Sequence, residues 1–457
     1  MNLGDAMRQK TGQLELPWGS SGEAARTRRS GEAWTAANGD VRSGTGDLMQ
    51  RVVEHRNLQL AVRRVKQNKG SPGIDGMTVY QLLEYLAEHE QDLRAKLLDG
   101  TYVPMPVKRQ QIPKPGGGLR ELAIPCVVDR LVQQAILQVL QPIFDPTFSE
   151  HSYGFRPGRR AHDAVCAAQR YIQNGYRWVA DVDLARFFDR VNHDVLMGRL
   201  ARRIEDKRLL RLIRSYLEAG IMANGVVSER HEGVPQGGPL SPLLANVLLD
   251  EVDKELEKRG LVFCRYADDL NVYTRSKRAA EDAMQTLRRL FAKLRLQVNE
   301  SKSAVARPQD RKFLGYSFYI RADVVKRRVA PKALESMKER VREITGRNRG
   351  RSLVQVVKEL RSYLAGWKNY FSLADTPSVF EAADTWIRHR LRAIQLKQWR
   401  RAPTVYRELR ARQVPERVAL SAAAHAKRWW SVAAHRALHI ALPNTYFDRI
   451  GLPRLAS

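Results

Sequence analysis

The chain predicts an α+β domain followed by a separate all-α domain, and three observations lead there. Between residues 101 and 330, short β-like runs alternate with helical segments. Beyond about 330, apolar residues recur only at helical spacing. The full 457 residues also exceed what one compact core organises, so two or three domains are expected. The hydrophobic fraction of 43% is ordinary for globular cores. The charge is not ordinary: 78 Lys+Arg against 49 Asp+Glu gives a net +29. Such an excess repels itself unless a polyanion neutralises it, and nucleic acid is the polyanion it fits. The sequence has no long apolar run and no lipidation signal, which argues against a membrane partner. Cys126, Cys166 and Cys264 are far apart and form no CxxC pair. They support neither a disulfide framework nor a zinc cluster, and they suit a reducing compartment.

In chain order, residues 1–46 are rich in Gly, Ser, Arg and Ala without an apolar period, and disorder is expected there. Glu15, Glu23, Glu32 and Asp40 count against a transit peptide. Order is expected to start near Leu48. Leu58, Val62 and Val65 recur at helical spacing, and Lys69-Gly70-Ser71-Pro72-Gly73 ends that helix. After the α+β segment, Pro331 opens an amphipathic helix carrying Leu334, Met337, Val341 and Ile344. Ser352 can cap a second helix, on which Leu360, Leu364, Trp367, Tyr370 and Phe371 read as core. Thr376-Pro377 starts a third, with Arg347, Arg349 and Arg351 marking the loop between the first two.

Four stretches can carry chemistry. In Tyr266-Ala267-Asp268-Asp269, apolar flanks enclose two acids, which reads as a β-hairpin with carboxylates at its turn. Adjacent acids repel unless a cation holds them, although Asp is also a common turn residue. Trp178 to Asp189 offers a short strand with Asp181 and Asp183 on one face. Asp183 could join the hairpin acids around hard cations that take carboxylate, water and phosphate oxygens. Gly233-Val234-Pro235-Gln236-Gly237-Gly238-Pro239-Leu240-Ser241-Pro242 forces a tight path into a helix, with Ser241 as N-cap. It is either a plain connection or a place where a nucleotide approaches the backbone beside Gln236. Ile112 to Leu122 sets a glycine-rich turn between Lys114 and Arg120, either a surface loop or a hairpin laying two cations on a triphosphate.

In this order, basic hairpin, Asp strand, Pro-Gln-Gly loop and Tyr-x-Asp-Asp hairpin resemble the fingers and palm of a reverse transcriptase. Flanking segments extend the resemblance. His151 to Arg159 looks like a segment shared by group II intron enzymes, Leu296 to Lys302 like the motif with a mobile lysine, and Lys312 to Tyr316 like the primer grip. Lys69 to Gly76 looks like the N-terminal extension of non-retroviral members, and Leu360 to Phe371 like maturase, or thumb, helices. The resemblance implies a right-hand polymerase. A disordered segment (1–46) and an N-terminal extension (47–100) would precede fingers and palm (101–328), an all-α thumb/maturase domain (329–412) and a short basic DNA-binding-like region (413–457). No endonuclease segment is recognised, as in group IIC-like proteins.

The activity implied is that of an RNA-directed DNA polymerase that binds its group II intron RNA, assists splicing and copies the intron into DNA. Asp183, Asp268 and Asp269, with the Leu184 carbonyl, would hold two Mg²⁺, for which Mn²⁺ could substitute. Lys114, Arg120, Gln236 and Lys302 would serve the incoming dNTP, and Phe188 would block a ribose 2′-hydroxyl. Partners implied are the intron RNA, an RNA template, and a DNA primer or target, with a bacterial cytoplasmic location. From Arg388 to Arg412 nine Lys/Arg face only Glu408, and Arg388, Arg390, Arg392, Lys397, Arg400 and Arg401 are the expected RNA contacts. His435 and His439 share helical spacing but lack further ligand-type neighbours, so zinc is not expected. The rival readings are a defence, CRISPR-associated or domesticated reverse transcriptase without an intron, and an RNA-binding splicing cofactor alone.

Overall fold

Trp178–Val182, Val262–Tyr266 and Asp269–Thr274 are buried at successive positions, hence on both faces, which requires a sheet covered by helices, and the computed structural model builds one. It describes residues 45–113, 118–223, 225–346 and 350–456, so the expectations for residues 1–44, Lys114, Arg347 and Arg349 lie outside the described residues. Contacts divide the chain into two units, with the division between Arg311 and Lys312.

The first unit starts with three helices: α1 (Leu48–Val53), α2 (His55–Gln67) and α3 (Leu82–Asp99). Leu58, Val62 and Val65 on α2 are buried, as their spacing predicts. Strands β1 (Val107–Pro113) and β2 (Leu119–Ile124) form a hairpin, followed by the long apolar helix α4 (Val127–Phe144) and by α5 (Ala161–Gln173). Then come β3 (Trp178–Val182), α6 (His193–Leu200), α7 (Lys207–Glu218), β4 (Ile221–Ala223), β5 (Val226–Ser228) and α8 (Ser241–Lys258). The unit closes with β6 (Val262–Tyr266), β7 (Asp269–Thr274), α9 (Lys277–Lys293) and β8 (Ala304–Ala306). Two four-stranded sheets result, ordered β2-β1-β4-β5 and β6-β7-β3-β8. The second is antiparallel throughout, and one apolar core runs from Leu48 to Leu296.

The second unit opens with a small antiparallel sheet of β9 (Lys312–Phe313), β10 (Tyr316–Arg321) and β11 (Val324–Val329). Helices α10 (Pro331–Ile344), α11 (Leu353–Tyr370), α12 (Pro377–Trp399), α13 (Ala402–Ala411) and α14 (Glu416–Ala424) follow, with three short helices behind them. This sheet groups with the helices by contact, whereas the sequence suggested a break at 328/329. Tyr316 explains the grouping: it is fully buried, its ring meets Tyr370 and Phe371, and its hydroxyl donates to the Tyr370 carbonyl. Ser352 caps α11 by accepting from the Gln355 amide, and Pro377 opens α12, both as expected. Trp367 and Phe371 are core residues. Among the described residues, no helix is long and apolar enough to cross a membrane.

One capping expectation needs correction. Ser241 is the first residue of α8, not its cap, because its hydroxyl donates 2.6 Å to the Pro235 carbonyl and so fastens the preceding loop.

Candidate active site

Tyr266 pairs with Asp269 across β6 and β7, leaving Ala267 and Asp268 as a two-residue turn. Ala267, and not Asp268, lies at positive φ (+56°), the sign pattern of a type II′ turn, which matches strand twist. That conformation costs a non-glycine residue on the order of 1 kcal/mol. β3 pairs with β7 so that Val182 faces Leu270. Asp183 follows Val182 and Asp269 precedes Leu270, so the antiparallel register carries both acids to one end of the sheet, beside the turn.

Electrostatics set these acids against each other. Burial raises the pKa of Asp268 above the usual carboxylate value, and the Asp183 charge adds to it. Its own backbone N–H, Arg120 and Arg265 oppose the rise. Asp183 is fixed from the other side by the segment after α9. The Asn299 amide donates 2.8 Å to the Asp183 carbonyl, and the Asp183 amide donates 3.0 Å to the Ser303 hydroxyl. Lys302 Nζ stands 3.6 Å from Asp183 Oδ1. Leu184 is buried opposite Val298, and the flanking backbone bonds run from Asn299 to Asp183 and from Ala185 to Gln297. They leave the Leu184 carbonyl outside this ladder.

Asp181 has a different role from Asp183. It is buried, accepts a 2.6 Å bond from Arg311 Nε, and Arg311 also donates to the Lys302 carbonyl. This pair ties the lysine segment to β3.

The Pro-Gln-Gly loop is fastened on three sides. The Val234 amide donates 2.6 Å to the Phe188 carbonyl, the Gly233 amide 2.7 Å to Val191, and the Ala123 amide 2.8 Å to the Gln236 carbonyl. A Cβ at Gly237 would meet the Ala123 carbonyl at 2.7 Å, and one at Gly238 would meet the Gln133 amide oxygen at 2.3 Å. These glycines therefore let the loop approach β2 and α4. Gln236 lines a cleft of about 560 Å³ together with Arg109, Ala123, Arg186 and Asp189. Phe188 is half-buried against Phe187 at that loop.

Arg120 sits on β2 opposite Ile112. Its charge acts on Asp268, which relates the basic hairpin to the turn. Asp183, Asp268, Asp269, Leu184, Arg120, Phe188, Gln236 and Lys302 thus all belong to the first unit.

The expected RNA contacts divide instead. Arg388 and Arg392 are buried (5% and 3% exposed), which removes them from an RNA surface. Arg388 pairs with Asp384 at 3.4 Å and Asp448 at 3.6 Å. Arg392 donates 3.1 Å to the Leu442 carbonyl and lies over the Phe447 ring. Burial pushes its pKa down to about 10. Arg390 is half-buried, donating 2.7 Å to the Thr345 hydroxyl, and Lys397 lies over the Trp429 ring. Arg400 and Arg401 are exposed. Sequence density could not separate the two sets, because charge counts carry no information about which helix face is inward.

Among the described residues, no group of three or more His, Cys, Asp or Glu side chains is arranged as it stands to hold a metal ion. The chemistry of the donors nevertheless fits a hard cation. Asp268 is a carboxyl destabilised as an anion by burial and by the Asp183 charge, a repulsion that an oxygen-seeking cation relieves.

Residues 112–318 match a family model described as reverse transcriptase (RNA-dependent DNA polymerase), and residues 334–413 match the group II intron maturase-specific domain. The chain is 33% identical over 318 residues to protein YkfC of Escherichia coli (strain K12), a match covering 61% of this chain and 83% of YkfC. It is 39% identical over 170 residues to the group II intron-encoded protein LtrA of Lactococcus lactis subsp. cremoris, covering 37% of this chain and 28% of LtrA.

Proposed function

Because the chain belongs to the reverse transcriptase family and carries a group II intron maturase-specific domain after its polymerase segment, we propose that it is an RNA-directed DNA polymerase that binds its group II intron RNA, assists its splicing and copies it into DNA. The observation that carries the polymerase reading is the convergence of Asp183, Asp268 and Asp269 at one end of a sheet, with Lys302 3.6 Å from Asp183.

Reverse transcriptases depend on divalent metal ions. The three aspartates and the Leu184 carbonyl would hold Mg²⁺, or Mn²⁺ in its place. Two bound ions would neutralise triphosphate charge and make the primer 3′-hydroxyl a better nucleophile.

The remaining work belongs to the chain itself, and it is mostly positioning and charge neutralisation. The Arg120 guanidinium would orient the triphosphate of a dNTP. Gln236, on a loop held at Pro235, Val234 and its own carbonyl, would offer a rigid wall to the nucleotide. Phe188, whose carbonyl is held by that loop, would fill the space that a 2′-hydroxyl needs and so select deoxynucleotides. The Lys302 ammonium would place its positive charge and a proton at the departing pyrophosphate.

RNA is the partner that the maturase-specific domain brings, and the exposed Arg400, Arg401 and Arg407 support phosphate contacts on that unit. Primer extension on an RNA template tests the polymerase reading. The wild-type chain extends a DNA primer with dNTPs and Mg²⁺, and Asp268→Asn lowers the rate about a thousandfold or more. Full activity in Asp268→Asn would sink the assignment of the site.

A further inference from the structure

Arg265 immediately precedes the Tyr266–Asp269 turn, and among the described residues of the first unit it is the largest side chain to be almost wholly buried (1% exposed). A guanidinium is costly to bury unless its donors are met. Here they are met by one face of α8 and by the turn itself. Nε donates to Asp253 Oδ1 at 2.8 Å and Nη2 to Oδ2 at 2.5 Å, and Asp253 is itself fully buried. Nη1 donates to Asn246 Oδ1 at 2.9 Å and to the Ala267 carbonyl at 3.0 Å. Asn246 and Asp253 lie two helical turns apart, so they present their groups on the same face.

The network continues past the guanidinium. Asn246 Nδ2 donates 2.9 Å to the Gly154 carbonyl. Gly154 packs so tightly on the turn that a Cβ there would come 2.3 Å from the Ala267 nitrogen. On the same edge, the Arg265 amide donates 2.9 Å to His151, and the Tyr153 amide donates 2.8 Å to Arg265. The strained residue Ala267 is therefore gripped at its carbonyl by Arg265 and crowded at its nitrogen by Gly154.

This matters because the peptide plane between Ala267 and Asp268 sets the direction of the Asp268 Cα–Cβ bond. A left-handed alanine would relax if its carbonyl were released, and the Asp268 carboxyl would swing with it. We propose that the Arg265–Asp253–Asn246 network is a clamp that holds the Tyr266–Asp269 turn in its strained form, making Arg265 and Asn246 positioning residues for the Asp268 carboxyl. The inference rests on the polymerase reading for its catalytic consequence, while the mechanical claim stands on geometry alone.

Two variants of the full-length chain test it. Arg265→Lys keeps a positive charge for Asp253 but cannot reach Asp253, Asn246 and Ala267 together. Asn246→Ala leaves the Arg265–Asp253 pair intact and cuts the tie to Gly154. Three readouts are taken on each: backbone hydrogen exchange of the Arg265 and Tyr153 amides without metal, steady-state primer extension, and the Mg²⁺ concentration at half-maximal rate. Both variants should fold with the wild-type circular dichroism spectrum. Exchange at the two amides should rise about tenfold or more, and kcat should fall about 10- to 100-fold, the scale of a small misplacement of a catalytic group. The Mg²⁺ midpoint should rise severalfold, and KM for dNTP should change little.

Wild-type exchange, kcat and Mg²⁺ midpoint in either folded variant would overturn the clamp. Loss of fold in both would also overturn it, because the network would then serve the whole core rather than the turn. If the wild-type chain itself extends no primer, the polymerase reading fails, and hydrogen exchange alone still decides the mechanical claim.

Discussion

Asp129 on α4 is 1% exposed, and its carboxylate accepts 2.7 Å from the Tyr102 hydroxyl and 3.2 Å from the Met105 amide. Burial outweighs those bonds and lifts its pKa to about 6, above the ordinary value of 3.8. The native chain therefore binds this proton more readily than the unfolded chain. The associated stability is fully present below the unfolded value and is lost as pH rises through about 6. Asp129→Asn should flatten that fall, leaving the variant less sensitive than wild type to a change from pH 5 to pH 7. Urea denaturation at the two pH values measures it, and an unchanged difference between them would refute the buried, proton-holding carboxyl. At the same scale, Asp183, Asp268 and Asp269 were singled out by the order of the motifs around them, which resembles that of reverse transcriptases; as acids at strand ends alone they read as ordinary turn residues. Arg265, Asn246 and Asp253 were not singled out. Each looks like an ordinary helix or strand residue until β6 is laid on α8, and only then do their polar groups meet.

At the scale of elements, α12 carries its arginines on two faces. Arg388 and Arg392 follow Asp384 at four-residue steps, which turns all three toward the buried side of the helix. Asp384 also accepts from the Leu455 and Ala456 amides, so this face fastens the last residues of the second unit. Arg388→Gln leaves Asp384 buried without its charge partner and should cost about 3 kcal/mol of stability. Arg400→Gln, on the exposed end, should cost less than about 0.5 kcal/mol. Equal denaturation midpoints for the two variants would contradict the inward face. The ends of these helices were legible, since Ser352 and Pro377 signal them locally. The Pro-Gln-Gly loop was legible as a tight path too. That its glycines accommodate Ala123 and Gln133 was not, because those neighbours arrive from more than a hundred residues away.

For the whole molecule, a net charge of +29 predicts RNA binding that weakens steeply with salt, since each phosphate contact releases counterions. With Arg388 and Arg392 buried, the slope should depend on exposed cations. Arg400→Ser with Arg401→Ser should reduce the slope of log K against log salt by about 1 for each contact removed. Filter binding of the intron RNA across a salt series measures it, and an unchanged slope would move the RNA surface elsewhere. The sequence by itself determined the order of the two domains, which is written in helix period and turn residues, and, through the resemblance of its ordered motifs to reverse transcriptases, the expected reaction class. Tertiary structure alone decided which charges face water, which strands join which unit, and what holds the Tyr266–Asp269 turn in place. Those are properties of packing between distant segments, where a buried arginine and an exposed one differ only in what the fold sets against them.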